Sequence, residues 1–230
     1  MTERNDTPRT RPARAREERT MDATLSKPPA AEAMSRRELE DFYEIDALHT
    51  PEERMIRDSI REFVQSEIVP HAGAWWREGV FPEHLPRTLG DMGMLGVTLP
   101  EAYGGAGASY TAYGLLNREV EYADSGLRSF VSVQSSLVMW PIHAYGSDEL
   151  KHSWLPRLAR GEAIGCFGLT EPDAGSDPGA MTSTCKNVGG EWVLNGTKRW
   201  ITNGSIADVA ILWARDVDSG RVLGFVVETE

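Results

Sequence analysis

Between Ser125 and Ser147 the only formal charge is Arg128, set among Leu127, Phe130, Val131, Val133, Leu137, Val138 and Met139. On a helix, Ser132 shares the Arg128 face one turn on, with Ser129 beside it and Ser135 two turns along. A guanidinium in such surroundings requires a carboxylate or phosphate, because an unpaired buried charge is very costly, and its fork suits bidentate carboxylate binding. The partner is either internal, Asp124 or Glu121 one or two turns back, or the carboxylate of a ligand. A second group of residues is the loop Phe167-Gly168-Leu169-Thr170-Glu171-Pro172-Asp173-Ala174-Gly175-Ser176-Asp177-Pro178. Its small residues can offer backbone N–H groups to a phosphate. It lacks the Lys of a P-loop and any G-x-G-x-x-G pattern, and Glu171, Asp173 and Asp177 would repel an anion they faced, which suits an acidic turn. The third group is Trp200-Ile201-Thr202-Asn203. At the end of a strand, Trp200 and Thr202 point to one side, as a flat cofactor or a core tryptophan would each require. The five histidines, His49, His71, His84, His143 and His152, are scattered without metal-ligand spacing, and no metal site is expected.

The elements that must carry these residues divide into two periodicities. Thr50-Pro51-Glu52-Glu53 supplies an N-cap hydroxyl, a proline at the first helical position and a capping-box glutamate. Met55, Ile56, Ile60, Phe63, Val64 and Ile68 then recur at spacings of three and four, one apolar helical face. Further helices are predicted at about 84–93, 109–123, 126–145 and 147–160, joined in part by the flexible Tyr103-Gly104-Gly105-Ala106-Gly107 connection. From residue 162 the period becomes that of strands, predicted at 163–170, 181–188, 191–194, 197–202, 207–214 and 222–228. Gly189-Gly190, Asn195-Gly196 and Asp218-Ser219-Gly220 are the turn signals between them. Helices and strands are segregated, so the expected class is α+β: an all-helical domain over 35–161, then an antiparallel, barrel-like β domain over 162–230. Residues 1–34 have too few apolar groups to order and are expected to form a disordered arm. The sequence stops after an apolar strand, an ending that reads as an interruption of the β domain.

Composition excludes several classes. The 230 residues carry 24 Lys plus Arg against 35 Asp plus Glu, a net −11, which disfavours nonspecific nucleic-acid binding. The basic stretch is residues 1–20, Arg-rich like a transit peptide, but Glu3, Asp6, Glu17 and Glu18 oppose that reading. No apolar run reaches the roughly 18 residues of a membrane span, and Cys166 and Cys185 show no paired spacing. A cytoplasmic protein in a reducing compartment is expected.

Four segments in order resemble the acyl-CoA dehydrogenase family: Leu99-Pro100-Glu101-Ala102-Tyr103-Gly104-Gly105-Ala106-Gly107, Leu169-Thr170-Glu171-Pro172-Asp173-Ala174-Gly175-Ser176-Asp177, Asn195-Gly196-Thr197-Lys198 and Trp200-Ile201-Thr202-Asn203. They extend over roughly residues 50–230. Within the family, Ala112-Tyr113-Gly114-Leu115-Leu116, Asp124-Ser125-Gly126-Leu127-Arg128-Ser129, Ser132-Val133-Gln134-Ser135-Ser136-Leu137-Val138-Met139, Ala144-Tyr145-Gly146-Ser147 and Gly165-Cys166-Phe167-Gly168-Leu169-Thr170 are similar to glutaryl-CoA dehydrogenases.

The resemblance implies FAD as cofactor, lined by Phe167, Gly168, Leu169, Thr170, Gly175 and Ser176. Trp200, Ile201 and Thr202 would cover one face of its ring, and Ser176 would lie where its pyrophosphate side meets the acyl-CoA. It implies that Arg128, Ser129 and Ser132 hold the distal carboxylate of a glutaryl group, with Glu121 in reach to tune them. The implied reaction is α,β-oxidation of glutaryl-CoA with decarboxylation to crotonyl-CoA. Electrons would leave to an electron-transfer flavoprotein, and the family assembles as homotetramers. The family's catalytic glutamate lies in a C-terminal helical bundle, so no residue here is assigned as the base, and the chain is expected to be a fragment lacking that bundle. The alternatives are a straight-chain acyl-CoA dehydrogenase, for which a buried guanidinium has no use, and a non-catalytic remnant that acts by binding.

Overall fold

The computed structural model describes residues 43–229, and the expected arm at 1–34 lies outside them. The described residues from Ile45 onward form one compact unit. Within it α1 (Ile45–Leu48), α2 (Pro51–Phe63), α3 (Val69–Glu78), α4 (Leu85–Asp91), α5 (Tyr110–Ala123), α6 (Ser125–Ser132), α7 (Trp140–Tyr145) and α8 (Asp148–Ala159) precede all the strands. The strands are β1 (Gly165–Gly168), β2 (Thr184–Val188), β3 (Glu191–Asn195), β4 (Val209–Asp216) and β5 (Val222–Glu228).

The local start signals act as the sequence dictates. Thr50 Oγ1 accepts the Glu53 N–H at 3.2 Å, and the Thr50 N–H donates back to Glu53 Oε2 at 3.0 Å. The same carboxylate takes a 2.6 Å hydrogen bond from Ser109 Oγ, and Ser109 caps α5 by accepting the Ala112 N–H. One glutamate thus ties two helix starts together. Thr50→Ala should cost about 1 kcal/mol, the usual worth of an N-cap, read as a lowered urea midpoint with unchanged slope.

Two helical stretches widen into π turns, Val64–Ile68 between α2 and α3 and Val133–Met139 between α6 and α7. In each, an N–H reaches back five residues, Val69 to the Val64 carbonyl and Trp140 to the Ser135 carbonyl. Each of these donors immediately precedes a proline, Pro70 or Pro141. Proline lacks the N–H of the normal ladder and its ring crowds the carbonyl four residues back; a wider turn relieves the crowding and keeps the helix continuous. The helix predicted at 126–145 is therefore one rod, α6 to α7, with a π turn at its centre.

The sheet is mixed rather than wholly antiparallel. β4 is its central strand: β5 covers one edge along Val209–Arg215, while β1 and β2 share the other, and β3 pairs β2. β2 with β3 and β4 with β5 are antiparallel, because the Gly189-Gly190 and Asp218-Ser219-Gly220 turns join them as hairpins. Gly189 and Gly190 both take positive φ, as a tight two-residue hairpin turn requires. β1 and β2 run parallel to β4, and both reach it through long connections that allow a crossover. Side-chain alternation reports which face is buried and carries no information on strand direction, so this pairing was not legible in the periodicity.

A second difference concerns 197–202, which is not a strand. Trp200 has φ +61 and Asn203 φ +67, values incompatible with extended backbone. The segment is held by single ties instead: the Arg199 N–H donates to the Thr170 carbonyl at 2.8 Å, and Asn203 Nδ2 to the Gly165 carbonyl at 3.1 Å.

One apolar core joins helices and sheet, running from Ile60, Val64 and Ile68 through Leu116, Phe130, Val138 and Leu155 to Val209 and Ile211. The sheet approaches the π turn so closely that a Cβ on Gly165 would lie 2.4 Å from Val138 Cγ1. Gln134, fully buried, stitches this contact: its amide donates to the Leu158 and Ala163 carbonyls at 3.0 and 2.8 Å, and its oxygen accepts the Gly165 N–H at 2.8 Å.

Candidate functional site

Where β1 ends against the π turn, the chain leaves a recess of about 270 Å³ lined by Val133, Leu137, Phe167, Leu169, Thr170, Trp200, Ile201 and Thr202. Three pieces of chain build it. The α6–α7 rod contributes Val133 and Leu137, β1 and its exit contribute Phe167, Leu169 and Thr170, and the irregular 197–203 segment contributes the rest. Phe167 is braced from behind by Trp213, edge to face with ring centroids 6.1 Å apart. Six of the sequence-predicted cofactor residues thus converge on one recess.

The walls are apolar and aromatic, and no titratable side chain lines them. Polar contacts would come from the Thr170 and Thr202 hydroxyls, neither of which is hydrogen-bonded to a described residue. The Thr170 carbonyl is already engaged by the Arg199 N–H, leaving its hydroxyl and N–H to serve a ligand. Trp200 stands 78% exposed at the rim, its ring facing the Arg199 guanidinium at 4.4 Å. The volume lies just under the roughly 300–1,000 Å³ of small-molecule clefts, enough for a flat ring system and too small for a whole dinucleotide.

The remaining cofactor candidates lie elsewhere. Gly168 is buried at the end of β1, where a Cβ would meet the Leu212 side chain at 2.4 Å, so its role is to let β1 lie against β4. Gly175 and Ser176 are exposed on the following turn, outside the recess lining.

Arg128 sits on α6, and its side chain is 35% exposed. Its Nε donates to Glu121 Oε2 at 2.6 Å and its Nη1 to Ser132 Oγ at 3.3 Å. The internal partner is thus Glu121; Asp124 instead caps α6 by accepting the Leu127 N–H at 2.6 Å. The Arg128 hydrogen bond, reinforced by the Ser125 hydroxyl at 2.6 Å, holds the Glu121 carboxyl below the usual carboxylate range. Ser129 contributes its carbonyl to the Ser132 hydroxyl. Ser135 faces the core and accepts the Gly96 N–H. Arg128, Ser129 and Ser132 are not in the recess wall, but Ser132 immediately precedes Val133, so the guanidinium and the recess are carried by one rod.

Beside this site is a larger cleft of about 870 Å³, whose lining includes Trp75, Phe81, Glu121, Leu127, Phe130 and Thr202. Thr202 lines both cavities and Glu121 links the cleft to Arg128.

The acidic loop is not what its composition suggested. Glu171 turns inward, and its carboxylate accepts the Thr182 N–H and hydroxyl at 2.6 and 2.7 Å, the Ser183 N–H at 3.0 Å and Lys198 Nζ at 2.8 Å. Burial pushes this carboxyl up, but the hydrogen bonds from Lys198, Ser183 and Thr182 outweigh it and hold the group well below the usual range. Glu171 therefore presents no negative charge to the recess. Sequence reasoning missed this pairing, and also missed Val133 and Leu137 as lining, although all four residues stood within the quoted segments.

Comparison with known proteins identifies the lineage. The model of the acyl-CoA dehydrogenase N-terminal domain matches residues 50–162, and that of the acyl-CoA dehydrogenase middle domain matches residues 166–230. The mitochondrial short-chain specific acyl-CoA dehydrogenase of Mus musculus is 39% identical over 161 residues, 70% of this chain and 39% of that protein. A crystal structure of glutaryl-CoA dehydrogenase from Mycobacterium smegmatis superposes with a TM-score of 0.78 at 53% identity, covering 81% of this chain and 48% of that one. A crystal structure of a glutaryl-CoA dehydrogenase from the same organism in complex with FADH2 gives 0.79 at 48% identity, covering 82% of this chain and 48% of that one. The chain spans about half the length of these relatives or less. Among the described residues, no helix is long and apolar enough to cross a membrane. With helical and middle domains matched in order across most of its length, the chain belongs to the acyl-CoA dehydrogenase family.

Proposed function

We propose that this chain forms the FAD-facing and acyl-facing walls of a dehydrogenase acting on glutaryl-CoA. The observation that carries this reading is one continuous rod bearing a part-exposed guanidinium, Arg128, and two residues of the aromatic-lined recess, Val133 and Leu137.

The recess fits a flavin ring by its chemistry: apolar faces, an aromatic lid at Trp200, and two threonine hydroxyls free to bind ring heteroatoms. FAD, when bound there, supplies the two-electron oxidant that accepts a hydride from the β carbon of the acyl group. The residues of the chain orient the reactants. Arg128 holds the distal carboxylate while Ser132, accepting from its Nη1, steadies the guanidinium, and this fixes the acyl chain in one register. Val133, Leu137 and Phe167 exclude water and keep the thioester end in apolar surroundings, where hydrogen bonds to a developing enolate gain strength. No carboxylate lines the recess, so the base that takes the α proton comes from outside the lining residues. Loss of CO₂ from the unsaturated product would then give crotonyl-CoA. Electrons pass onward to an electron-transfer flavoprotein, and the assembled enzyme is a homotetramer.

A second reading, a straight-chain acyl-CoA dehydrogenase, draws on the Glu121–Arg128 pair, which satisfies part of the guanidinium internally, and on the similarity to the short-chain enzyme. The two separate in one experiment. The purified chain is incubated with FAD, desalted, and its visible spectrum titrated with glutaryl-CoA and with butyryl-CoA. Retained flavin whose spectrum responds to lower concentrations of glutaryl-CoA is expected. A butyryl-CoA preference selects the straight-chain reading, and a colourless protein defeats the flavin site.

A further inference from the structure

The two walls of the recess that come from the sheet region, 167–170 and 200–202, share no strand ladder, so something else must set their separation. Lys198 Nζ bridges them: it donates to the Leu169 carbonyl at 3.1 Å and to Glu171 Oε1 at 2.8 Å. One residue on, the Arg199 N–H donates to the Thr170 carbonyl at 2.8 Å. Glu171 is buried and Lys198 largely shielded, with side-chain exposures of 2% and 13%. Glu171 is in turn anchored to the chain entering β2 through Thr182 and Ser183. Asn203, bonded to the Gly165 carbonyl, ties the far end. A shielded lysine held by both a carboxylate and a main-chain carbonyl is a fixed strut, since its loss leaves the buried Glu171 charge without its counter-ion.

We propose that Lys198 and Glu171 are positioning residues for the cofactor: their ion pair is a clasp that sets the gap between the Thr170 wall and the Trp200–Thr202 wall, and so the affinity for the flavin ring. This rests on the reading of the recess as the FAD site. The clasp acts through the peptide groups of Leu169 and Thr170 and touches no reacting atom. Between Lys198 and Thr202 the chain passes through the left-handed Trp200, and Asn203 just beyond is left-handed too.

The test uses the full chain, with FAD titrated by flavin fluorescence, amide exchange followed at Arg199, and thermal unfolding by circular dichroism. Wild type should bind FAD and protect the Arg199 amide. Lys198→Met should weaken FAD binding by about tenfold or more, the worth of one charge-assisted hydrogen bond, and release that amide. It also strands the buried Glu171 charge, so the melting temperature falls. The double variant Lys198→Met/Glu171→Gln removes both charges. It should recover most of the melting temperature while FAD affinity and Arg199 protection stay as low as in the single variant. Recovery of affinity together with stability would show a purely structural pair and overturn the proposal. Wild-type binding with unchanged affinity in both variants overturns the clasp alone. Absence of FAD binding by wild type overturns the recess reading and the clasp's connection to it together.

Discussion

Arg128→Ala should weaken glutaryl-CoA binding by about 100-fold while leaving FAD retention and butyryl-CoA binding unchanged. The size follows from two charge-assisted hydrogen bonds lost at a partly shielded guanidinium, about 3 kcal/mol, or two factors of ten. Of the three guanidinium nitrogens, Nε is taken by Glu121 and Nη1 holds a long contact to Ser132. Nη2 has no partner among the described residues, so the outer edge of the fork is open to a ligand carboxylate. Arg128→Lys should recover about tenfold of the loss, because an ammonium supplies the charge without the planar fork. Equal weakening of butyryl-CoA would show that the site reads the acyl chain and not its carboxylate.

Glu121 adds a pH signature to the same site. Its folded pKa lies below the unfolded value of 4.5, with the Arg128 hydrogen bond as the first cause. A depressed carboxyl lends its stabilisation fully above the unfolded pKa and loses it as pH falls through the folded pKa. The Glu121–Arg128 pair therefore persists through neutral and mildly acid pH and opens only below the usual carboxylate range. Across that neutral plateau glutaryl-CoA affinity should be flat, and Glu121→Gln should raise it several-fold by removing the competing negative charge next to the ligand carboxylate.

These expectations rest on residues that differ in how openly the sequence declared them. Thr50, Ser109 and Ser147 were legible as helix starts because a cap is a local bargain between one side chain and the N–H three residues on. Arg128 was legible as an anomaly, a lone charge in an apolar rod, but its choice of Glu121 over Asp124 was not. Both sit at helical spacing, and Asp124 is diverted by the free Leu127 N–H at the α6 start. The π turns were signalled by Pro70 and Pro141, yet a proline in a helical pattern reads equally as a break. The alternation in 197–202 matched a strand, but alternation does not show a backbone reversal, and Trp200 at φ +61 leaves only the single Arg199–Thr170 tie to the end of β1. Glu171 was read with the sign of its effect reversed, because its neutralising partner, Lys198, is 27 residues away in the chain and close only in the fold.

Gln134→Leu should destabilise the chain by about 4 kcal/mol and lower its melting temperature by roughly 10 °C. Leucine matches the volume well enough to avoid a large cavity, so the loss isolates the hydrogen bonds. Two buried main-chain groups are left without partners, the Ala163 carbonyl and the Gly165 N–H, while the Leu158 carbonyl loses one bond and keeps the Gly161 N–H. Each unsatisfied group costs about 1–3 kcal/mol, and no water can reach a site whose side chain is fully buried. The three groups belong to the end of α8, the link to the sheet and the first residue of β1, so the damage falls where the helices grip the sheet. Gln134→Glu should be at least as harmful, since it replaces a donor to two carbonyls with an acceptor and places a charge there. The residue also stands directly after Val133 on the π turn, so Gln134→Leu should loosen the recess floor as well as the fold. FAD retention should fall at temperatures well below the melting transition of the variant. A melting temperature within about 3 °C of wild type would mean that the π turn and β1 are held by packing at Val138 and Gly165 rather than by this side chain.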